Sequence, residues 1–323
     1  MEIGSFIELQ FMKGHEYYHG LDMLRLNTGR AAIYHSFVLT GAKRLWLPYY
    51  QCESVKRFLE RKNVPMMFYH IDYDLAPKDD LKPEEDDAVL IVNYYGLFDS
   101  GHIGYRAKKY PNPIIDNSQA FFCSPVNGAY NVYSCRKFIG VPDGSYVIGK
   151  EAATNCECYE QGYSSSTAKY LLERIEFGCE PITYDHKKAN DFRLDHEDVK
   201  LMSKLTHTIL DGTDYNEIRH KRIENFNYAK SLFDDYNLFN IKFVHNAESV
   251  PMVYPFVIED EEVAKKLKKN GHYQGPWWEY LVDEMPENTA EYWLSKYMIP
   301  ITIDQRYGKK ELDYINELID VIC

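Results

Sequence analysis

The chain has 323 residues, which corresponds to about two domains at a typical size of about 150 residues each. It carries 37 Lys and Arg residues against 49 Asp and Glu residues, a formal net charge of −12. This acidic balance argues against a general nucleic-acid binder, because such a protein needs a basic surface. Hydrophobic residues make up 45% and charged residues 27% of the chain, a composition that excludes disordered and collagen-like proteins.

The sequence has no feature typical of a membrane or secreted protein. Its longest apolar runs, such as Ala88–Val92, are far shorter than the about 20 residues that a membrane span needs, and the start Met1–Gly4 has no apolar signal region. Seven scattered cysteines favour a reducing compartment over a disulfide framework. Cys156 and Cys158 have no second pair at zinc spacing, so no metal site is expected. We therefore expect a cytoplasmic protein that binds neither nucleic acid nor a membrane.

Short apolar segments alternate with helical segments from residue 30 to about residue 150. This alternation is typical of β-α-β units and predicts a mostly parallel sheet. The predicted strands are Arg44–Tyr50, Met66–Ile71, Asp87–Tyr94, Pro113–Asp116, Tyr130–Cys135 and Ser145–Ile148. The predicted helices are Arg30–Leu39, Glu53–Arg61 and Ile103–Lys109.

The second half has a different pattern, because a long charged helical stretch precedes two isolated strands. That stretch, Asp195–Phe233, is expected to break at Asp211-Gly212. The other predicted elements are strands at Met252–Ile258 and Met298–Ile303 and helices at Glu261–Lys269 and Lys309–Ile322. We therefore predict a large α/β domain over residues 1–205 and a smaller C-terminal α+β domain over residues 206–323.

Two segments carry residue types that suit a ligand site. In Asn27–Ala32, Thr28 is a good N-cap and Gly29 lets the backbone approach a ligand, so the helix start presents free N–H groups to a phosphate. In Ile114–Ala120, an apolar strand ends at Asp116, whose carboxylate would favour the protonated form of a ligand ring nitrogen. Taken alone, the first segment is more simply a capped helix, and the second is equally well explained by an Asp that caps a turn.

A third segment, Tyr133–Phe138, ends another predicted strand and contains Lys137. A lysine in an apolar setting loses its proton more easily and acts as an amine nucleophile, although a single lysine is usually a solvated surface residue. The tight loop Gly140–Gly144 follows directly, as expected for backbone that wraps around a site. Together the segments supply a phosphate cradle, a carboxylate for a ring nitrogen and an imine-forming lysine, which are the protein's parts in a pyridoxal-phosphate enzyme.

The order and spacing of these segments resemble those of the DegT/DnrJ/StrS-type sugar aminotransferases, which have the pyridoxal-phosphate transferase fold of type I. The resemblance covers nearly the whole chain. It implies a large domain with a mostly parallel sheet of seven strands, a small C-terminal domain, pyridoxal 5'-phosphate as the cofactor, and a homodimer. The positions that match the family's cofactor-binding residues are Thr28, Gly29, Arg30, Cys52, Asp116, Gln119, Ser134 and Lys137.

The resemblance also implies a role for each of these positions. Lys137 matches the lysine that forms the Schiff base, and Asp116 matches the acid that pairs with the pyridinium nitrogen; these two are the expected catalytic residues. Gln119 matches a glutamine near the ring hydroxyl, and Ser134 matches a phosphate-binding serine. Cys52 stands where the family often has an aromatic residue that stacks on the ring. Ser134 is also two residues closer to Lys137 than the family's serine is to its lysine.

The resemblance implies an aminotransferase that moves an amino group from an amino acid to a keto sugar. The usual amino donor in the family is glutamate. The acceptor is expected to be nucleotide-linked and to serve the synthesis of surface polysaccharide. Two alternatives stay open: a dehydratase or other carbanion reaction on the same fold, and a non-catalytic protein that binds the cofactor for regulation. A plain nucleotide-binding protein is less well supported, because the chain has neither a Gly-x-Gly-x-x-Gly segment after a strand nor a P-loop.

Overall fold

The computed structural model describes residues 3–241, 245–246 and 248–320. The strands in these ranges are β1 (Met23–Leu26), β2 (Arg44–Pro48), β3 (Met66–Tyr69), β4 (Asp87–Val92), β5 (Pro113–Asp116), β6 (Tyr130–Ser134), β7 (Ser145–Ile148), β8 (Glu160–Gln161), β9 (Lys200–Leu201), β10 (Val253–Val257) and β11 (Met298–Thr302). The helices are α1 (Gly29–Thr40), α2 (Glu53–Arg61), α3 (Ser100–Ala107), α4 (Lys169–Phe177), α5 (Pro181–His196), α6 (Lys204–Asp211), α7 (Tyr215–Phe233), α8 (Glu261–Lys269), α9 (Leu281–Glu284), α10 (Ala290–Tyr297) and α11 (Lys309–Asp320). Two 3₁₀ turns, Tyr94–Gly96 and Cys135–Lys137, follow β4 and β6.

The larger sheet has the strand order β3-β2-β4-β5-β6-β7-β1-β9-β8. Neighbouring strands from β3 to β6 are parallel, whereas β7 is antiparallel to both β6 and β1. The two strands beyond β1, β9 and the edge strand β8, are only two residues long each. The expectation of a mostly parallel sheet of the seven-stranded type is therefore confirmed, and a short extension follows β1.

The central strands of the first half are buried on both faces of the sheet. All six residues of β4 are buried, which explains why its sequence after Asp87, from Ala88 to Val92, is continuously apolar rather than alternating. Several predicted strands end one or two residues early: β2 ends at Pro48 rather than Tyr50, and β4 ends at Val92 rather than Tyr94. Of the extra residues, Tyr50, Asn93 and Tyr94 are buried in the loops at the edge of the sheet, and by composition alone a buried loop residue resembles a strand residue.

The second half contains a smaller antiparallel sheet of β10 and β11. Helices α7, α8, α10 and α11 pack around it, and one cluster of buried apolar side chains includes residues of both sheets, for example Leu90 and Phe256. The predicted domain boundary at residue 205 lies inside α6, and the division into two domains stays a prediction. None of the helices in the described ranges is long and apolar enough to cross a membrane.

The predicted long helical stretch is only partly correct. Its break at Asp211-Gly212 is confirmed, because α6 ends at Asp211 and Asp214 caps α7 by accepting a hydrogen bond from the Glu217 N–H. The stretch does not begin at Asp195, however, since β9 intervenes and α6 starts at Lys204. The sequence pattern does not predict helices α4, α5, α9 and α10 or strands β1, β8 and β9. In α5 only three of 16 residues are buried, so its sequence carries little of the periodic apolar pattern that reveals a packed helix.

Candidate active site

The predicted site residues meet at one edge of the larger sheet. Strands β2, β4, β5 and β6 are parallel, so their carboxyl ends share this edge. Strand β1 runs in the same direction, because it is antiparallel to β7 and β7 is antiparallel to β6. The start of α1, which follows β1, therefore lies at the same edge as Asp116 and the turn that contains Lys137. In open α/β sheets this edge is where ligands bind.

The start of α1 has the predicted geometry of a phosphate site. Thr28 is extended (φ −141°, ψ 154°), and its hydroxyl accepts a 3.2 Å hydrogen bond from the Ala31 N–H, so the N-cap is confirmed. The N–H groups of Gly29 and Arg30 have no acceptor in the part of the chain that the structure describes. Unpaired N–H groups at the positive end of a helix attract an anion.

Two serine hydroxyls complete this cradle. A Cβ atom added at Gly29 would lie 3.1 Å from Ser118 Oγ and 3.9 Å from Ser134 Cβ, so the absence of a side chain keeps the space between them open. Neither hydroxyl has a hydrogen-bond partner within the described ranges. Ser134 was predicted as a phosphate ligand, whereas Ser118 was not. Its position two residues after Asp116, at the same strand end, is the sequence feature that indicates Ser118 as a site residue.

The loop after Lys137 holds the backbone at the start of α1 in place by hydrogen bonds. Gly144 donates a 2.7 Å hydrogen bond to the Asn27 carbonyl, and the Ser145 hydroxyl donates one of 2.8 Å to the Thr28 carbonyl. Asp143 is buried and accepts a hydrogen bond from Ser164 at 2.7 Å and another from Ser203 at 3.0 Å. The turn at Asp143-Gly144 therefore anchors the backbone that leads into α1.

Asp116 is a buried carboxylate without a cationic partner. It is only 4% exposed, and it accepts a 2.8 Å hydrogen bond from the Ser118 N–H and a long one of 3.4 Å from Gln51 Nε2. No Lys, Arg or His of the described residues forms an ion pair with it. A buried carboxylate is costly unless a cation or strong donors compensate it. This side chain can therefore stabilise a protonated nitrogen on a bound ring.

Gln119 holds the turn that follows β4. Its Oε1 accepts a 2.7 Å hydrogen bond from the Tyr95 N–H, and Tyr95 has a positive φ of 57°. The next residue, Gly96, has φ 72°, and a Cβ there would lie 2.5 Å from the Gln119 carbonyl oxygen. The contact of Gln119 with the hydroxyl of a bound ring stays a prediction.

Lys137 lies at the end of the 3₁₀ turn after β6, with an exposed side chain. Within the described ranges its amine makes no hydrogen bond and no ion pair. The turn itself is well anchored, since Cys135 is buried and the Phe138 carbonyl accepts a 2.9 Å hydrogen bond from Gln305 Nε2. Gln305 belongs to the turn after β11, so the small sheet reaches the lysine-bearing segment.

Arg30 and Cys52 line a cavity of about 400 Å³ beside this edge. Lys137, Asp116 and Ser134 do not line it. Its other lining residues are Glu53, Ser54, Arg57, Arg136, Asp191, Asp195, Trp278 and Tyr280. Arg30 pairs with Asp195 at 2.6 Å, and Arg136 pairs with Asp191. The cavity wall around Cys52 is therefore rich in guanidinium groups.

Aromatic side chains from the second half of the chain cover the ends of β2 and β4. The Tyr280 hydroxyl donates a 2.7 Å hydrogen bond to the Gln51 carbonyl, and the Trp278 ring packs edge-on against Tyr50 at 4.4 Å between centroids. The Tyr50 and Tyr95 hydroxyls lie 2.6 Å apart, and burial raises the pKa of both phenols. Aromatic surface thus lies beside Cys52.

The residues at this edge fit pyridoxal 5'-phosphate. The start of α1 with Ser118 and Ser134 offers a phosphate cradle, and Asp116 offers a counter-charge for the ring nitrogen. Lys137 offers a free amine on the neighbouring strand end. Metal ions, by contrast, have no evident site: in the described ranges, no group of three or more His, Cys, Asp or Glu side chains is arranged to hold one.

No model of a known protein family matches the chain, and no curated protein matches it in sequence. Many solved structures do match it in fold. The sugar aminotransferase CalS13 from Micromonospora echinospora is 14% identical, with a TM-score of 0.60 over 93% of this chain and 87% of that chain. NtdA from Bacillus subtilis, solved with bound cofactor PMP, is 13% identical, with a TM-score of 0.63 over 93% of this chain and 73% of that chain.

A third match is a DegT DnrJ EryC1 StrS aminotransferase from Brucella abortus, which is 12% identical, with a TM-score of 0.60 over 94% of this chain and 87% of that chain. At these identities the matches establish the fold. The chain therefore has the type I fold of the DegT/DnrJ/EryC1/StrS-type sugar aminotransferases, the fold that its sequence motifs imply.

Proposed function

We propose that this protein is a pyridoxal-phosphate-dependent aminotransferase that moves an amino group from an amino acid to a keto sugar. The observation that carries the proposal is the meeting of the α1 start, Ser118 and Ser134 with the buried, cation-free carboxylate of Asp116 at one sheet edge. This edge lies on a fold that the chain shares with sugar aminotransferases.

Each residue has a distinct task in this proposal. The N–H groups of Gly29 and Arg30 and the hydroxyls of Ser118 and Ser134 bind the phosphate group and fix the position of the ring. Asp116 keeps the ring nitrogen protonated. When bound, pyridoxal 5'-phosphate supplies an electron sink for the charge that develops at the amino-bearing carbon of the substrate. Lys137 Nζ removes the proton from that carbon.

We further propose that glutamate is the donor and that the acceptor is a nucleotide-linked keto sugar for surface polysaccharide. The protein is proposed to act in the cytoplasm as a homodimer. These points rest on the resemblance of the motifs to the family. The oligomeric state is measured by sedimentation velocity of the full chain, and a monomer at all concentrations would contradict the dimer.

The first experiment identifies the lysine that holds the cofactor. The full chain is incubated with pyridoxal 5'-phosphate, reduced with borohydride, digested, and its peptides are identified by mass spectrometry. We expect the label on the peptide that contains Lys137, and we expect it to disappear in Lys137→Ala. Lys150→Ala is the matched control, because the Lys150 side chain is 90% exposed and follows the end of β7 that lies at the edge of the sheet opposite the site. Equal labelling of Lys137→Ala and wild type would show that the site assignment is wrong.

The second experiment separates an enzyme from a protein that only binds the cofactor. Wild-type protein loaded with pyridoxal 5'-phosphate is mixed with ¹⁵N-labelled glutamate, and the released cofactor is examined for ¹⁵N by mass spectrometry. Incorporation supports the aminotransferase. If the cofactor attaches to Lys137 but no nitrogen is transferred from any common amino acid, the protein is not an aminotransferase, and the two alternatives are another carbanion reaction such as dehydration and a non-catalytic member of the fold.

A further inference from the structure

Two arginines reach the cavity beside Cys52 from different parts of the fold. Arg30 lies in the first turn of α1, and Arg136 lies in the 3₁₀ turn after β6. Opposite them, α5 presents two carboxylates four residues apart, Asp191 and Asp195. Because residues at i and i+4 lie on the same helix face, one face of α5 places a carboxylate against each guanidinium.

The two guanidinium groups are buried more deeply than their partners and are not fully used. The Arg30 side chain is 10% exposed and the Arg136 side chain 25%, whereas Asp191 and Asp195 are 36% and 37% exposed. Each arginine contacts its aspartate through Nη2, and the Nε atoms of both arginines are buried with no acceptor in the described ranges. A guanidinium binds a carboxylate or phosphate most strongly with two parallel N–H donors, so both retain capacity for a better-placed anion.

The electrostatics of the cavity also favour an incoming anion. Burial lowers the pKa of Arg30, with Asp195 opposing this effect and the nearby Arg136 adding to it. Burial alone would raise the pKa of Asp191, but Arg136 and Lys187 hold it below its ordinary value. Asp191 is therefore charged at neutral pH and acts as an anion that Arg136 attracts.

Helix α5 is weakly held by apolar packing. Its buried residues are Thr183, Asn190 and Leu194, of which only Leu194 is a large apolar side chain. Polar contacts therefore supply much of its attachment, including the pairs with Arg30 and Arg136 and a 2.8 Å hydrogen bond from Asn190 to the Pro142 carbonyl. An element with few buried apolar contacts opens at a low cost in free energy, so a competing anion can displace its carboxylates.

We propose that Arg30 and Arg136 form an anion-binding site that Asp191 and Asp195 occupy from within the chain, and that a carboxylate or phosphate group of a ligand displaces these two side chains. The anion then binds the guanidinium groups, and the face of α5 that carries the aspartates moves away from the cavity. On the proposed function the ligand is the amino donor or a phosphorylated acceptor; this last identification rests on that function, whereas the anion site itself does not.

The test measures anion binding by the full chain without cofactor. Inorganic phosphate and glutarate are titrated separately at constant ionic strength, and binding is followed by isothermal calorimetry. Asp191→Asn/Asp195→Asn removes the internal competitors, so we expect the dissociation constant to fall about ten-fold for at least one probe. Arg30→Gln/Arg136→Gln is expected to weaken the same binding at least about ten-fold. Arg30→Lys/Arg136→Lys retains the charge, and it replaces the glutamine variant in this binding measurement if the glutamine variant does not fold.

A matched control separates a specific site from a general effect of charge. Glu53→Gln changes the charge of a residue that lines the same cavity and pairs with Arg57 rather than with Arg30 or Arg136, and we expect it to alter binding less than about two-fold. Hydrogen exchange supplies a structural readout, because amides of α5 should exchange faster when the anion is bound. Tighter binding of phosphate alone by the double asparagine variant assigns a phosphate group to the site, because phosphate bound at the start of α1 does not compete with Asp191 and Asp195. Tighter binding of glutarate alone assigns a carboxylate.

The proposal is overturned if neither probe binds more tightly to the double asparagine variant, or if Glu53→Gln tightens binding as much. It is also overturned if α5 exchange is unchanged at saturating anion. None of these readouts uses the cofactor or enzyme activity, so failure here is distinct from failure of the borohydride and nitrogen-transfer experiments.

Discussion

At the scale of single residues, the candidate site depends on a missing side chain at Gly29 and on a missing cationic partner of Asp116 among the described residues. Gly29 has no side chain at the point where a Cβ would face Ser118 Oγ at 3.1 Å. Asp116 has no cation among the described residues, although it is almost fully buried. In both positions the chain gives up an ordinary stabilising contact, and such exceptions to local rules are expected at functional sites.

Gly29→Ala tests the cradle. Gly29 is helical and its φ is not positive, so alanine does not strain the backbone and we expect the melting temperature to be unchanged or slightly higher. The new methyl group occupies the space between Ser118 and Ser134, and the affinity for pyridoxal 5'-phosphate should fall by about ten-fold. The measurement is a cofactor titration by absorbance. Gly308→Ala is the control, because no atom lies within 4 Å of its added Cβ, and equal weakening there would contradict the assignment.

Asp116→Asn tests the counter-charge. The variant retains the size of the side chain but removes its negative charge, so the bound ring nitrogen loses the group that keeps it protonated. We expect nitrogen transfer from glutamate to slow by about 100-fold or more, while the phosphate cradle still binds the cofactor. Stability should fall by no more than about 1 kcal/mol, because no ion pair of the described residues is broken and only one of the two hydrogen bonds to the carboxylate loses its acceptor. A rate of nitrogen transfer equal to that of the wild type would show that Asp116 has no role in catalysis.

At the scale of elements, a charged cluster fixes the starts of β2 and β4, at the edge of the sheet opposite the site. Asp87 is fully buried; it accepts hydrogen bonds from Arg44 at 2.7 Å and 3.0 Å and from Trp46 Nε1 at 2.8 Å. The Arg44 guanidinium, despite the opposing effect of burial, lowers the pKa of Asp87 to about 2. This cluster ties β4 to its neighbour β2, so it supports the strands whose other ends carry Asn93 and Gln51.

The pH dependence of stability follows from Asp87. Its pKa in the folded chain is below the value of about 3.9 in an unfolded chain, so its contribution is complete above about pH 4 and is lost as the pH falls toward about 2. Asp87→Asn should lower the free energy of unfolding by about 2 kcal/mol at pH 7, and the loss should shrink toward pH 2. Urea unfolding at several pH values measures both. Asp86→Asn, a half-exposed neighbour, should change stability much less at every pH.

At the scale of the whole molecule, the two sheets share one core. A single cluster of buried apolar residues includes members of the large sheet, such as Ile91, and of the small sheet, such as Ile301. Trp278 and Tyr280 cover the ends of β2 and β4, and Gln305 holds the segment that contains Lys137. Packing of the second half against the first is therefore part of the candidate site.

This shared core predicts one unfolding transition. Trp46 lies in β2, and Trp277, Trp278 and Trp293 lie in the second half of the chain. Unfolding by urea, followed by fluorescence in a variant that retains only Trp46 and in one that lacks only Trp46, should give the same midpoint as far-UV circular dichroism. Two separated midpoints would show that the halves unfold independently, as expected of loosely joined domains.

Much of the fold was predictable because local patterns determine local structure. Strands β5 and β7 and helices α2 and α8 have the predicted bounds, and Thr28 caps α1 as expected. The largely exposed α5 escaped prediction, because a helix with few buried residues leaves no apolar period in the sequence.

The sequence by itself determined the β-α-β alternation, the acid at the end of β5 and the lysine after β6, since each depends on residues close together in the chain. Only the tertiary structure decided that Ser118 faces Gly29, that Arg30 and Arg136 meet the carboxylates of α5, and that the Lys137 side chain is exposed. These contacts join residues far apart in sequence, and they depend on the strand order and on how the second half packs against the first. The composition of a local segment does not predict which strand ends become neighbours, because the strand order depends on how the apolar surface of the whole chain is buried.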